Sequence, residues 1–324
     1  MLVFMTKFNN TIKTLMTNYT HINRYNMMPI NFYYELAPET NHFPVIYVDI
    51  THRCNMECAN CFIPNREAPD MDKDRLYDVL KRLPFKTEIR MLGGEPTVRK
   101  DIFEIVEKIR ELGHRPNMQS NGLMLARPGY AKDLARAGMR SIYISVNGAD
   151  DNEVYEAMDG MRCAERKIEA WQQCVDAHMN VNLGCIMQKG TNDHVPARLL
   201  VLSKKIGGNP IFRFRNVGQI GRYTLEQDQN WTFEELIQNV CYVFDKDAEW
   251  AKGFHNIAGF TEPNMLFFPL DETKKIKTSW VKITNWSPTV GRVPDAGSKR
   301  RGRLTPDFKI APHFEHIILN ENVY

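Results

Sequence analysis

The segment Val45-Ile-Tyr-Val-Asp-Ile50 leads directly into Thr51-His-Arg-Cys-Asn-Met-Glu-Cys-Ala-Asn-Cys-Phe62, and this stretch decides the fold. Its apolar first part predicts a buried strand. A loop that leaves the carboxyl end of a strand is where α/β proteins place their functional groups. This loop carries Cys54, Cys58 and Cys61 at C-x3-C-x2-C spacing, so that three thiolates can converge on one soft metal centre. Four ligands would close such a site, whereas three leave one position open to a ligand that reacts.

A second strand followed by a glycine turn comes next. Thr87-Glu-Ile-Arg-Met-Leu92 predicts the strand, and Gly93-Gly-Glu-Pro96 follows at once. Two glycines let the backbone approach a ligand closely, and a carboxylate and carbonyls can accept hydrogen bonds from an ammonium. In this order the two motifs resemble the signature of the radical S-adenosylmethionine (SAM) superfamily. The resemblance implies a [4Fe–4S] cluster on the three cysteines and SAM bound at Gly93, Gly94, Glu95 and Pro96.

The resemblance runs through about residues 45–222 and is greatest to the branch that includes the molybdenum-cofactor cyclase and peptide-modifying enzymes. Asn147 stands where the family usually has an aspartate, and Asn60 stands where it usually has an aromatic residue. Polar residues follow several of the predicted strands, and each has two interpretations. It contacts SAM, or it is a turn residue whose side chain hydrogen-bonds its own backbone. The resemblance implies further SAM contacts from Ser120, Asn121, Ser145, Asn147, Gln188 and Phe62.

Six strand patterns alternate with amphipathic helix patterns up to Val217, which predicts right-handed βαβ crossovers and a parallel sheet. An α/β fold fits both this count and the resemblance: a partial (β/α)6 TIM-like barrel of the radical SAM type with an α+β C-terminal extension. A doubly wound sheet is the alternative. We expect an N-terminal extension at 1–44, a radical SAM core at 45–222 and a C-terminal substrate-covering region at 223–324. Runs at 264–270 and 278–286 predict a hairpin or paired strands.

Composition limits the protein class. The chain has 324 residues, 43% of them hydrophobic, enough for one large domain with appendages. Its apolar runs fall short of the ~18 residues that a membrane-spanning helix needs. The N-terminus resembles no secretory signal, and the seven cysteines are an odd number, which argues against a disulfide framework. We therefore expect no membrane association and a cytoplasmic location.

The cysteines outside the loop predict a single cluster. Residues 242–324 contain no cysteine, whereas families with auxiliary clusters have cysteine-rich C-terminal regions. Cys174 and Cys241 share helical stripes with apolar residues and are predicted core thiols. Cys185 lies on the fifth strand of a barrel whose interior is the site. It is therefore a candidate hydrogen-atom donor to a substrate radical, and the alternative is a simply buried cysteine.

The C-terminal tail concentrates positive charge. Residues 271–324 hold ten Lys or Arg and six Asp or Glu. A charge run in a glycine-rich loop is usually a solvated surface, but arginine also pairs bidentately with phosphate. The candidate substrate-binding residues are Arg292, Arg300, Arg301 and Arg303.

Three functions remain open from the sequence. The resemblance implies a radical SAM enzyme whose 5′-deoxyadenosyl radical abstracts hydrogen from an anionic small molecule, nucleoside or nucleic acid. The second hypothesis is the same chemistry on a ribosomal peptide, and either enzyme would need a reductant such as flavodoxin or ferredoxin. The third is a zinc-stabilised, non-catalytic binding protein, with His52 or a distant histidine completing the zinc site.

Overall fold

The computed structural model describes residues 34–63, 66–218, 229–260, 264–273, 278–285 and 300–312. Within these ranges the chain forms eight α-helices and ten strands, and the strands make one sheet. The strands are β1 (Val45–Thr51), β2 (Glu88–Gly93), β3 (Arg115–Ser120), β4 (Ser141–Ser145), β5 (Asn180–Met187), β6 (Ile211–Asn216), β7 (Met265–Pro269), β8 (Trp280–Thr284), β9 (Arg301–Leu304) and β10 (Ile310–Pro312). The helices are α1 (Lys73–Lys81), α2 (Ile102–Glu111), α3 (Tyr130–Ala137), α4 (Asn152–Asp159), α5 (Ala164–Asp176), α6 (Val195–Ile206), α7 (Phe233–Val243) and α8 (Ala248–Ile257).

The strand order is β10-β9-β1-β2-β3-β4-β5-β6-β8-β7, and neighbours from β1 to β6 are parallel. One or two helices connect each successive pair of these strands, which is the βαβ arrangement. The sheet is not closed. The predicted partial (β/α)6 barrel is therefore confirmed.

The C-terminal strands extend both edges of this core. Strand β8 pairs in parallel with β6, and β7 pairs antiparallel with β8, which confirms the predicted strand pair. At the other edge β9 pairs in parallel with β1, and β10 pairs antiparallel with β9. Strands β9 and β10 were not predicted from the sequence.

Alternation along the strands separates an apolar face from a polar one. In β6, Phe212 and Phe214 are buried in the hydrophobic core, while Arg213 and Arg215 between them line a cavity within the barrel. In β1, Val48 is likewise a core residue and Tyr47 lines the cavity. The functional residues therefore come from the inner face and the carboxyl ends of the strands. Among the described residues, no helix combines the length and apolar character needed to cross a bilayer.

Candidate active site at the carboxyl ends of the strands

The three loop cysteines follow β1 directly and are half-buried. Cys54 and Cys58 pack against an apolar cluster that contains Met56 and Tyr155. Burial is the main cause that raises the pKa of both thiols. In the described chain no group of three or more His, Cys, Asp or Glu side chains is arranged to hold a metal ion. Three half-buried thiols on one short loop are nevertheless the donor set that suits an iron–sulfur cluster with an open iron.

The glycine turn packs directly against the cysteine loop. Gly94 N–H donates to Thr51 O at 2.8 Å, and Glu95 N–H donates to Arg53 O at 2.8 Å. A Cβ atom on Gly94 would lie 2.5 Å from His52 O and closer still to Arg53 O. These backbone atoms belong to the chain that leads into the cysteines. The glycines are therefore required by a contact within the protein itself, besides any contact with SAM.

Glu95 joins this turn to the end of β3. Its carboxylate is 1% exposed and accepts hydrogen bonds from Thr97 Oγ1 (2.5 Å), Ser120 Oγ (2.9 Å) and Asn121 N (2.6 Å). Burial raises the pKa of Glu95, although these bonds oppose the shift. Asn121 Nδ2 in turn donates to Asn55 Oδ1 in the cysteine loop at 2.7 Å. The predicted SAM-binding residues Glu95, Ser120 and Asn121 thus form one hydrogen-bonded network around the cysteines.

Asn147, which stands in place of the family's aspartate, pairs with a buried carboxylate. Its Nδ2 donates to Asp159 Oδ1 at 2.7 Å, and its Oδ1 accepts from Ile186 N at 2.9 Å. Asp159 and Lys167 are 2% and 1% exposed, and Lys167 Nζ lies 3.7 Å from Asp159 Oδ2. Lys167 Nζ also donates to Ser145 O at 3.1 Å. The negative charge beneath this strand end is therefore on Asp159, and an uncharged donor at position 147 complements it.

A cavity of about 140 Å³ opens on the inner face of the barrel. Arg213 and Arg215 of β6 line it together with Arg301 and Arg303 of β9. Three predicted SAM-binding residues line it as well, namely Phe62, Ser145 and Asn147. Gln188 is 6% exposed and forms an isolated bridge with Asn230. The cavity therefore brings together residues from the cysteine loop, the core strands and the C-terminal region.

The placement of the tail arginines corrects the sequence analysis. Arg301 and Arg303 lie on β9 and not on a loop. Arg303 is 0% exposed, its Nε donates to Asp49 Oδ2 at 2.7 Å, and its guanidinium lies 5.5 Å from the Phe62 ring centre. The solvated-surface alternative is therefore wrong for Arg303. Arg300, immediately before the strand, is exposed, and Arg292 lies outside the described residues.

Positive charge is crowded inside the barrel. Burial is the main cause that lowers the pKa of Arg213, and burial together with the charge of Arg213 lowers the pKa of Arg215 to about 10. Burial alone would raise the pKa of Tyr47, but three surrounding arginines hold it below its usual value. One of them, Arg90, donates from Nη1 to the Tyr47 hydroxyl at 2.6 Å. Such crowding favours a bound anion.

Arg213 and Arg215 were not predicted as site residues. The signal was present in Ile211-Phe-Arg-Phe-Arg-Asn216, where arginine alternates with phenylalanine. Because successive side chains of a strand point to opposite faces, the phenylalanines lie on the helix-covered face and the arginines lie in the barrel interior. An arginine on the inner face of a buried strand requires a counter-charge, which is a functional signal.

Cys185 occupies a different environment from the one predicted. It borders the cavity, but it is 1% exposed and belongs to the hydrophobic core with Leu183 and Met187. Its thiol lies 3.5 Å from Met187 Sδ and 3.5 Å from Asn192 Nδ2. Burial raises the pKa of Cys185. This packing supports the buried-cysteine alternative and gives no support to the hydrogen-donor hypothesis.

Comparison with known proteins identifies the domain. Residues 48–201 match the family model of the radical SAM superfamily. A probable GTP 3′,8-cyclase of Thermococcus kodakarensis is 32% identical over 162 residues, which cover 48% of this chain and 50% of that protein. A GTP 3′,8-cyclase of Staphylococcus epidermidis is 26% identical over 208 residues, 59% of this chain and 57% of that protein. The chain thus spans little more than half the length of these curated relatives.

Solved structures with the same fold include Streptococcus suis SuiB bound to S-adenosylmethionine. It has a TM-score of 0.60 at 14% identity, covering 86% of this chain and 62% of that one. The enzyme anSMEcpe with bound AdoMet and a peptide has a TM-score of 0.52 at 18% identity, covering 66% of this chain and 61% of that one. At these identities the likeness concerns the fold alone.

An open (β/α)6 barrel with three thiols after its first strand and a glycine turn after its second defines a class of iron–sulfur enzyme. Residues 48–201 therefore carry a radical SAM domain. The cofactors characteristic of that superfamily are SAM and a [4Fe–4S] cluster. This assignment argues against the zinc-stabilised binding protein.

Proposed function

We propose that this protein is a single-cluster radical SAM enzyme that acts on an anionic small molecule, nucleoside or nucleic acid bound in the arginine-lined cavity. Cys54, Cys58 and Cys61 would hold the cluster. When bound, the cluster and SAM supply a 5′-deoxyadenosyl radical that abstracts a hydrogen atom from the substrate. The observation that supports the substrate class is the convergence of Arg213, Arg215, Arg301 and Arg303 on one cavity.

The guanidinium groups around the cavity support an anion over a neutral ligand. Glu88 pairs with Arg90 and Asp49 pairs with Arg303, so these two carboxylates neutralise part of the positive charge. The cavity is also lined by the guanidinium groups of three further arginines: Arg213, Arg215 and Arg301. Each of these charges acts more strongly here than in water, because a buried site screens charge weakly. A phosphate or carboxylate on the substrate would be attracted to these guanidinium groups.

The remaining site residues keep their proposed roles. The proposed chemistry requires that the cavity exclude water from the reacting atoms, which protects a reactive intermediate. Strands β8 and β9 contribute Thr284, Arg301 and Arg303 to the lining, which supports a substrate-covering role for residues 223–324. The proposed SAM-binding residues are Gly93, Gly94, Glu95, Pro96, Ser120, Asn121, Ser145, Asn147, Gln188 and Phe62.

Two further features follow from the chemistry. Reductive cleavage of SAM requires one electron from outside the chain, so we propose a reductant such as flavodoxin or ferredoxin as a partner. An oxygen-sensitive cluster and unpaired thiols suit the reduced cytoplasm, which is the location we propose.

Binding of two anions to the anaerobically purified protein tests the substrate class. The probes are GTP, on which the curated relatives act by name, and inorganic pyrophosphate. The Arg213→Gln/Arg215→Gln protein should bind GTP ten- to a hundred-fold more weakly, since a hydrogen bond to a charged group contributes about 1.5–3 kcal/mol. The control is Arg136→Gln, which removes an exposed arginine paired with the exposed Asp133 and should bind as the wild type does.

Two results would contradict this proposal. One is a wild-type protein that binds neither probe, which would favour the peptide hypothesis. The other is wild-type affinity in the double variant, which would move the anion away from β6.

A further inference from the structure

Arg66 is anchored within the cysteine loop. Its Nη1 donates to Met56 O, and it pairs with Glu57 Oε1 at 3.0 Å. Met56 and Glu57 lie in the chain between Cys54 and Cys58. The Arg66 side chain is only 13% exposed, whereas that of Glu57 is 69% exposed. The guanidinium is therefore held against the inner side of the loop, and Glu57 lies on its solvent side.

Two of its N–H groups have no acceptor in the part of the chain that the structure describes. Nε and Nη2 are both buried and unpartnered. A buried donor without an acceptor costs about 1–3 kcal/mol, and for a charged group the cost is higher. A native protein tolerates such a group where a bound ligand provides the acceptor.

The position of Arg66 on the loop identifies that acceptor. Its partners Met56 and Glu57 both lie in the chain between Cys54 and Cys58. The guanidinium is thus fixed to the peptide that joins two of the three proposed cluster ligands. Glu57 accepts its hydrogen bond from Nη1, so Nε and Nη2 remain available to donate to sulfur.

We propose that Arg66 is a positioning residue of the cluster, donating Nε–H and Nη2–H to its sulfur atoms and favouring its reduced state by its positive charge. The proposal rests on the cluster ligation proposed above. Hydrogen bonds to sulfur and the local charge are known determinants of cluster reduction potentials. Reduction adds a negative charge to the cluster, so a fixed cation beside it stabilises the product more than the reactant.

The reduction potential of the reconstituted cluster tests this role. The change is Arg66→Met, which keeps an unbranched side chain and removes the charge and all donors. Its reduction equilibrium constant should fall at least tenfold, which is 59 mV for one electron. Arg66→Lys retains the charge but not the paired donors and should give a potential between the two. The matched control is Arg162→Gln, which removes an exposed arginine paired with the exposed Glu156 and should leave the potential unchanged.

The outcomes separate this inference from the cluster proposal. Iron content of the wild type tests the cluster, and the potentials test Arg66. If Arg66→Met does not bind iron, the reduction potential of Arg66→Lys becomes the test. A wild-type potential in Arg66→Lys would overturn the proposed hydrogen bonds from Nε and Nη2. A loaded Arg66→Met protein with the wild-type potential also overturns the proposal. Weakened SAM binding at an unchanged potential would assign Arg66 to SAM instead.

Discussion

Single backbone atoms set the geometry around the cysteines. The hydrogen bonds from Gly94 and Glu95 to Thr51 O and Arg53 O join the ends of β1 and β2 directly, with no intervening side chain. The two motifs recognised in the sequence are therefore one structural unit.

Gly94→Ala tests this unit. The new Cβ would be 2.5 Å from His52 O, so the cysteine loop must shift, and overpacking of this kind costs typically about 1–3 kcal/mol. We expect a lower melting temperature of the apo-protein together with poorer iron loading. Gly253→Ala is the control, because nothing lies within 4 Å of a Cβ at that position in α8. An apo-protein of wild-type stability that fails only in SAM binding would show that the glycine serves SAM alone.

Asn147→Asp tests the complementarity with Asp159. A second carboxylate would face Asp159 in a buried site, where one unpaired charge costs several kcal/mol. The single change should therefore destabilise the protein strongly in chemical unfolding. Adding Asp159→Asn should restore most of the lost stability, because the pair would again consist of one carboxylate and one amide. If the double variant instead lost the sum of the stabilities lost in the two single variants, this account would be contradicted.

Among the elements, β9 has the clearest functional role, because it carries Arg301 and Arg303 into the cavity. Its close packing beside β1 depends on Gly302, where a Cβ would lie 2.6 Å from Phe43 Cδ2 and 2.8 Å from Ile310 Cγ2. A strand with only four residues holds its register through such contacts.

Gly302→Val should therefore displace β9 and its two arginines. We expect weaker binding of GTP and pyrophosphate, measured by calorimetry, while slow SAM cleavage without substrate continues. Full anion affinity in this variant would mean that β6 alone forms the anion site.

The elements also show how far the sequence could predict the structure. Strands β1, β2, β4, β5 and β6 were predictable because each has a local apolar pattern, and β3 because it lies between two amphipathic helices. Strand β9 was not, since Arg301-Gly-Arg-Leu304 has little apolar pattern and pairs with a strand more than 250 positions away. The cysteine loop and glycine turn were recognisable as motifs. Their mutual contact, and the proposed anion site shared by β6 and β9, depend on non-local packing.

For the whole molecule, the distribution of charge matters more than its sum. The net charge is only +3, yet the barrel interior concentrates guanidinium groups at one cavity. C-terminal strands extend both open edges of the core sheet, and one of them, β9, contributes Arg301 and Arg303 to this cavity. The chain thus couples a parallel barrel core to an arginine-lined cavity.

Iron, sulfide and 5′-deoxyadenosine measured on the anaerobically reconstituted wild-type and Cys58→Ala proteins test the central claim most directly. The account predicts roughly four irons and four sulfides per wild-type chain, with 5′-deoxyadenosine formed from SAM after reduction. In Cys58→Ala it predicts loss of both iron loading and SAM cleavage, because only two of the three thiolates remain. Wild-type iron content and wild-type SAM cleavage in Cys58→Ala would contradict it.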